Sequence, residues 1–165
     1  MFRMKSLAVA SILAVMTGML GASSAYAIIV NIDAVINCAD PRYHKKVSLP
    51  EGMYRATIIQ GTHTAWRWDS PVRGGNWNTA YYVLVSDDVT AYVGGDWPAA
   101  ATALDAFNGT THKVLEFYQP VTGFAKFYVA DQHCSDNTGG VSLEIVPLPL
   151  PTAESTWGKV KALYR

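Results

Sequence analysis

Along most of the chain apolar and polar residues alternate with the period of strands rather than of helices. Residues 28–36 are apolar with Asn31 and Asp33 interleaved, and predict a first strand broken at Asp40-Pro41. A turn at Leu49-Pro50-Glu51-Gly52 leads into a second predicted strand over 53–60. Residues 80–86, centred on Tyr81-Tyr82-Val83-Leu84-Val85, turn at Asp87-Asp88 into a strand over 89–93 that ends at Gly94-Gly95-Asp96, a hairpin pattern. Residues 112–118 and 124–130 predict a further hairpin across Pro120-Val121-Thr122-Gly123. The segment 124–129 also reads as a hairpin partner of Val141, Leu143 and Ile145, which alternate with Ser142 and Glu144 beyond a long connection. The alanine-rich stretch 98–107 predicts one short helix, starting at Pro98 and ending near Asn108-Gly109. Seven or eight short strands, one helix and no βαβ alternation predict an all-β fold, an antiparallel jelly-roll-like β-sandwich.

Composition divides the chain into three parts. Residues 1–27 have a positive start (Arg3, Lys5), an apolar run over 7–20 and Ala25-Tyr26-Ala27 at the end, the features of a cleaved secretory signal peptide. The apolar run is interrupted by Ser11, Thr17 and Gly18, too short for a membrane anchor of about 20 residues. Residues 28–146 form the predicted domain. In 147–165 a linker carrying Pro147, Pro149 and Pro151 precedes a short basic tail in which Trp157, Val160 and Leu163 or Tyr164 fall at near-helical spacing. The expected location is secreted, periplasmic or cell-surface. Of thirteen Lys and Arg, two lie in the signal segment, leaving eleven against thirteen Asp and Glu. That balance, with no basic block, excludes nucleic acid as an expected partner and removes a polybasic membrane-surface reading; no membrane span is expected after signal removal.

In an exported chain the cysteine pair, Cys38 and Cys134, predicts a disulfide tying the first strand to the long connection near residue 134. The alternative, a zinc site of Cys38, Cys134, His133 and His44, has spacings that match none of the usual zinc patterns.

The connection over 131–140 holds Asp131, Ser135, Asp136, Asn137, Thr138, Gly139 and Gly140. Two carboxylates balance one divalent cation, Asn137 adds an uncharged oxygen, and glycines free the backbone to turn carbonyls inward. Such oxygens suit calcium, with manganese as the alternative, over zinc. The competing reading is a plain polar turn, since turns favour the same residues. The loop over 61–78 gathers Trp66, Trp68, Trp77, His63, Arg67, Asp69 and Arg73. Among these, Trp66 and Trp68 are the candidates for stacking on a sugar ring, against the alternative that they cover the end of the core; His63 and Arg67 read as solvated loop residues. Loops at one end of the sandwich are expected to bring this region beside 131–137. No Gly-x-Ser-x-Gly elbow or His-Glu-x-x-His motif occurs, and the chain is not expected to be an enzyme.

The segment Phe127-Tyr128-Val129-Ala130-Asp131, followed by Asp136-Asn137-Thr138-Gly139-Gly140-Val141-Ser142-Leu143, resembles the calcium and sugar loop of the PA-IL-like, calcium-dependent galactose-binding lectins. The resemblance implies Ca2+ as cofactor, with Asp131, Asp136 and Asn137 as side-chain ligands and Ser135 as a carbonyl donor. A further carbonyl is implied from the loop after the 53–60 strand, at Ala65. It also implies a sugar that binds at the ion, next to Asp131 and Asp136. Two departures stand out. Asp136 occupies the first of two positions that hold amides in the lectins, which adds negative charge, and the lectins' sugar-contacting His and Gln have no clear counterpart. The expected function is a calcium-dependent carbohydrate-binding module with a carbohydrate or glycoconjugate partner, homo-oligomerisation being left open. The alternatives are a structural or adhesive domain with a purely stabilising calcium and, third, a hydrolase.

Overall fold

Burial follows the alternation of the sequence. In the strand Gly52–Ile59, Tyr54, Ala56 and Ile58 are buried while Met53, Arg55 and Thr57 are half-exposed, as expected of a sheet with one face on a core. The computed structural model describes residues 26–38, 40–68, 76–86, 90–96, 100–129, 131 and 133–149. Within them the strands are β1 (Ile28–Asp33), β2 (Lys45–Leu49), β3 (Gly52–Ile59), β4 (Trp66–Trp68), β5 (Tyr81–Val85), β6 (Thr90–Gly94), β7 (Val114–Gln119), β8 (Gly123–Tyr128) and β9 (Asn137–Leu148). One helix, α1 (Ala103–Thr110), precedes β7. Most of the segment read as a signal peptide, the tail from residue 150, the Asp87-Asp88 turn, Pro98, and Asp69 with Arg73 lie outside the described residues.

The strands form two antiparallel sheets, ordered β1-β9-β3-β7 and β2-β8-β5-β6, with β4 added beside the start of β9. Pairing is nested: β5 with β6 innermost, then β3 with β7, β2 with β8 and β1 with β9. The chain is thus one long antiparallel ribbon, folded at the β5–β6 hairpin and rolled so that successive rungs alternate between sheets. This is the connectivity of a jelly roll, and the expected all-β sandwich is the observed one.

The rolled ribbon also corrects two expected pairings. β7 and β8 do not form a hairpin, because β7 pairs with β3 and β8 with β2 and β5. Nor do β8 and β9 pair; the segment between them crosses from one sheet to the other. Two strands went unread: β2, and β4, only three residues long. The helix begins at Ala103, where Thr102 Oγ1 accepts from the Asp105 amide at 3.1 Å and donates to Asp105 Oδ2 at 2.7 Å. That is a cap of the kind that starts helices, and it replaces the proline start expected at Pro98. Among the described residues no helix is long and apolar enough to cross a membrane.

The core lies between the sheets. Phe117 of β7 meets Phe127 of β8 edge-on at 6.2 Å across the interface, a favoured geometry for two rings. Tyr81 is 1% exposed and lies over its cross-strand partner Gly94. A Cβ at Gly94 would stand 2.2 Å from Tyr81 Cζ, so only glycine leaves room for the ring. Gly94→Ala is expected to destabilise the domain by about 1–3 kcal/mol through overpacking, read as a lowered urea midpoint with an unchanged slope. An unchanged midpoint would show that the ring does not need this space.

Candidate functional site

The crossing from β8 to β9 is built by short-range hydrogen bonds. Asp131 is half-buried, and its Oδ1 accepts from the His133 amide at 3.0 Å, the side-chain-to-backbone turn that Asp favours. A 3-10 turn, Cys134–Asp136, comes next, with the Asp136 amide donating to His133 O at 3.3 Å and the Asn137 amide to Cys134 O. Asp131 and Asp136 are therefore both bonded to the backbone of one residue, His133. Ser135 is exposed at the middle of the turn.

At the end of the crossing two oxygens are enclosed. Asn137 is 5% exposed; its Nδ2 donates to Ala34 O at 3.0 Å, but its Oδ1 accepts no hydrogen bond. The neighbouring Asp136 Oδ1 is likewise buried without a partner. Leaving a buried acceptor unsatisfied costs about 1–3 kcal/mol, more for a charged group. Two enclosed oxygens on consecutive residues, with the Asp131 carboxylate earlier on the same crossing, are of the kind that a hard cation takes as ligands.

β4 forms the adjoining wall. Its register sets Trp68 opposite Asn137, Arg67 opposite Thr138 and Trp66 opposite Gly139, so the expected adjacency of the two loops is present in the described residues. The same register corrects the assignment of Ala65. Its carbonyl accepts from the Gly140 amide at 3.1 Å, three positions along from Asn137, or about 10 Å at the usual strand rise. Ala65 is a ladder residue and does not belong with the enclosed oxygens.

The assignment of Trp66 to sugar stacking is also corrected. Trp66 is 0% exposed, and its Nε1 donates to Ala80 O at 2.8 Å; the indole is core and has no face for a ligand. Trp68 is partly buried, tilted against Trp66 at 6.0 Å. The two loop residues read as solvated are packed instead. The Arg67 guanidinium lies 5.2 Å from the centre of the Trp77 ring, within the range of a cation–π contact, and the His63 ring stands over Gly140. Alternation in Trp66-Arg67-Trp68 was the available signal for Arg67, too short to read alone.

The glycines have a different task from the one expected. Gly139 has a φ of +84°, and a Cβ on it would stand 2.3 Å from Ala65 O. At Gly140 a Cβ would meet Ile32 O at 2.1 Å. Both residues let β1 and β4 close on β9, and Gly139 O is already taken by the Ala34 amide at 3.0 Å.

Cys38 and Cys134 form a disulfide with a Cα–Cα distance of 5.8 Å. This overturns the zinc alternative, because oxidised sulfurs are not thiolate ligands. Among the described residues no group of three or more His, Cys, Asp or Glu converges as a metal cluster; the oxygen set above includes an amide. Searches against protein-family models, curated proteins and solved structures find no match.

The bridge spans 96 residues of sequence, a closure worth about 4–5 kcal/mol on chain entropy. The double replacement Cys38→Ser with Cys134→Ser is therefore expected to lower unfolding stability by a comparable amount in urea titration. A loss below about 1 kcal/mol would mean that the unfolded chain is already restricted there.

Proposed function

We propose that this chain is an exported calcium-dependent binding module in which Asp131, Asp136 and Asn137 hold the ion and a carbohydrate is taken at the same place. The observation that carries the cation is the pair of enclosed, unpartnered Oδ1 atoms on Asp136 and Asn137. The carbohydrate rests on the resemblance of this loop to the PA-IL-like lectins, in which sugar hydroxyls complete the coordination of calcium. The disulfide supports an oxidising compartment, hence a secreted, periplasmic or cell-surface location.

The residues divide the work by their chemistry. Asp131 and Asp136 supply two negative charges, which balance a divalent ion, and Asn137 supplies a neutral oxygen whose amide nitrogen is anchored on Ala34 O. When bound, calcium supplies coordination positions that vicinal hydroxyls can occupy. Trp68, opposite Asn137, is the aromatic residue of β4 placed beside that position. A second reading, a calcium ion that only stabilises the crossing, rests on the same oxygens and differs in taking no sugar.

Thermal unfolding with calcium, with EDTA and with calcium plus a monosaccharide panel separates these readings. A hundredfold excess of calcium over its Kd stabilises by about 2.7 kcal/mol, on the order of 10 °C for a domain of this size. Asp136→Ala is expected to abolish that rise, and a sugar is expected to add to it in the unsubstituted chain. A calcium rise with no sugar increment selects the stabilising ion. A melting temperature indifferent to calcium rejects both readings.

A further inference from the structure

The supports of the crossing converge on one short turn, residues 33–38, between β1 and β2. Upstream of Asp131, the Val129 amide donates to Asn37 O at 2.9 Å. At the 3-10 turn, Cys134 is bonded to Cys38. Downstream, Asn137 Nδ2 donates to Ala34 O at 3.0 Å, and the Ala34 amide to Gly139 O at 3.0 Å. Each oxygen-bearing side chain of the site is thus within two residues of a tether to this turn.

The turn is held largely by polar bonds. Asp33 Oδ1 accepts from the Val35 and Ile36 amides at 2.8 and 3.0 Å, and the Asn37 amide donates to Asp33 O at 2.7 Å. Asn37 clamps both ends: its Oδ1 accepts from the Asp33 amide at 3.1 Å, and its Nδ2 donates to Tyr43 O at 2.6 Å. At the tip Val35 and Ile36 are 46% and 59% exposed, so hydrophobic burial does not fix that part of the turn. The bridge is the covalent link between this turn and the segment bearing Asp136 and Asn137.

We propose that the 33–38 turn is the positioning element of the cation site, with Asn37 its positioning residue, and that the Cys38–Cys134 bridge makes cation binding redox-dependent. The oxidised chain presents the enclosed oxygens of Asp136 and Asn137 as a fixed pair. A dithiol reductant is oxidised to its own disulfide while Cys38 and Cys134 each take up one electron and one proton to become thiols. The crossing is then held by hydrogen bonds alone, and the oxygens lose their common placement. Supports of this kind behind metal ligands typically govern affinity by about 10–100-fold. The inference rests on the cation reading above and adds to it what makes the site competent.

The test is terbium titration of the full chain, monitored by tryptophan-sensitised luminescence, in three forms: oxidised; reduced with a dithiol and thiol-capped; and Asn37→Ala with the bridge intact. Amide exchange of the β3–β7 ladder reports whether the sandwich stays folded, and exchange at Val129 and Asn137 reports the crossing. The expected result is terbium affinity at least about tenfold weaker in the reduced form and in Asn37→Ala, with faster exchange at Val129 and Asn137 and a protected β3–β7 ladder. Equal affinity in oxidised and reduced protein overturns the inference and leaves the cation reading standing. An oxidised chain that binds no terbium overturns both. If reduction unfolds the ladder, Asn37→Ala decides: weakened binding supports the positioning role, and undiminished binding rejects it.

Discussion

The backbone pairing of β9 is the constraint on which the rest depends. Its twelve residues pair with β4 at the start, with β1 along the middle and with β3 to the end. The crowding at its beginning dictates sequence: the Cβ that any other residue would place at Gly139 or Gly140 would run into Ala65 O or Ile32 O. Further along, Leu143 and Ile145 face the core opposite Ile58 and Ala56 of β3. One strand therefore couples the register of its sheet to the position of the crossing that precedes it.

At that junction sits a costly polar pair, Asp136 and Asn137. Asn137 is both the first residue of β9 and the last of the crossing, so it is buried whatever its side chain. Its Nδ2 is used to join β9 to Ala34; an apolar residue of similar size would remove the enclosed acceptor but leave Ala34 O without this donor, at a cost of about 1–3 kcal/mol. What the packing leaves without a partner is the Oδ1 of Asp136 and of Asn137. The cation proposed above would give these oxygens a partner.

The legible part of the sequence was the part written as alternation. β3, β5 and the core stretch of β9 each declare a buried face every second residue, and the sandwich class follows from the number of short strands and from the absence of βαβ alternation. Pairing was not legible, because consecutive strands such as β7 and β8 sit on opposite sheets; a proline-containing turn such as 120–122 serves a corner between sheets as well as a hairpin. β4 was hidden by its length, and with it the register that moves Ala65 away from the site and buries Trp66. At the site, the residue types of Asp131, Asp136 and Asn137 were visible. What was not visible was that Gly139 and Gly140 serve strand approach, which depends on residues distant in sequence, or that Asn37 clamps the turn behind them, which depends on where its side chain points within a local turn.

The disulfide and the ladder act on different sides of the site. Pairing of β4 and β1 with β9 fixes Asn137 and the strand beyond it, but the crossing before it leaves one sheet for the other and has no ladder of its own. Among the described residues between Val129 and Cys134, the tethers to the 33–38 turn are the Asn37 O bond to Val129 and the bridge at Cys134. A single backbone hydrogen bond contributes about 1 kcal/mol, too little to hold a segment against the entropy of several freed residues. The covalent bond placed between Asp131 and Asp136 in sequence therefore adds a constraint that one such hydrogen bond does not supply. A rolled sandwich, whose neighbours along the chain are rarely neighbours in a sheet, has this weakness wherever a connection must change sheets and also carry chemistry.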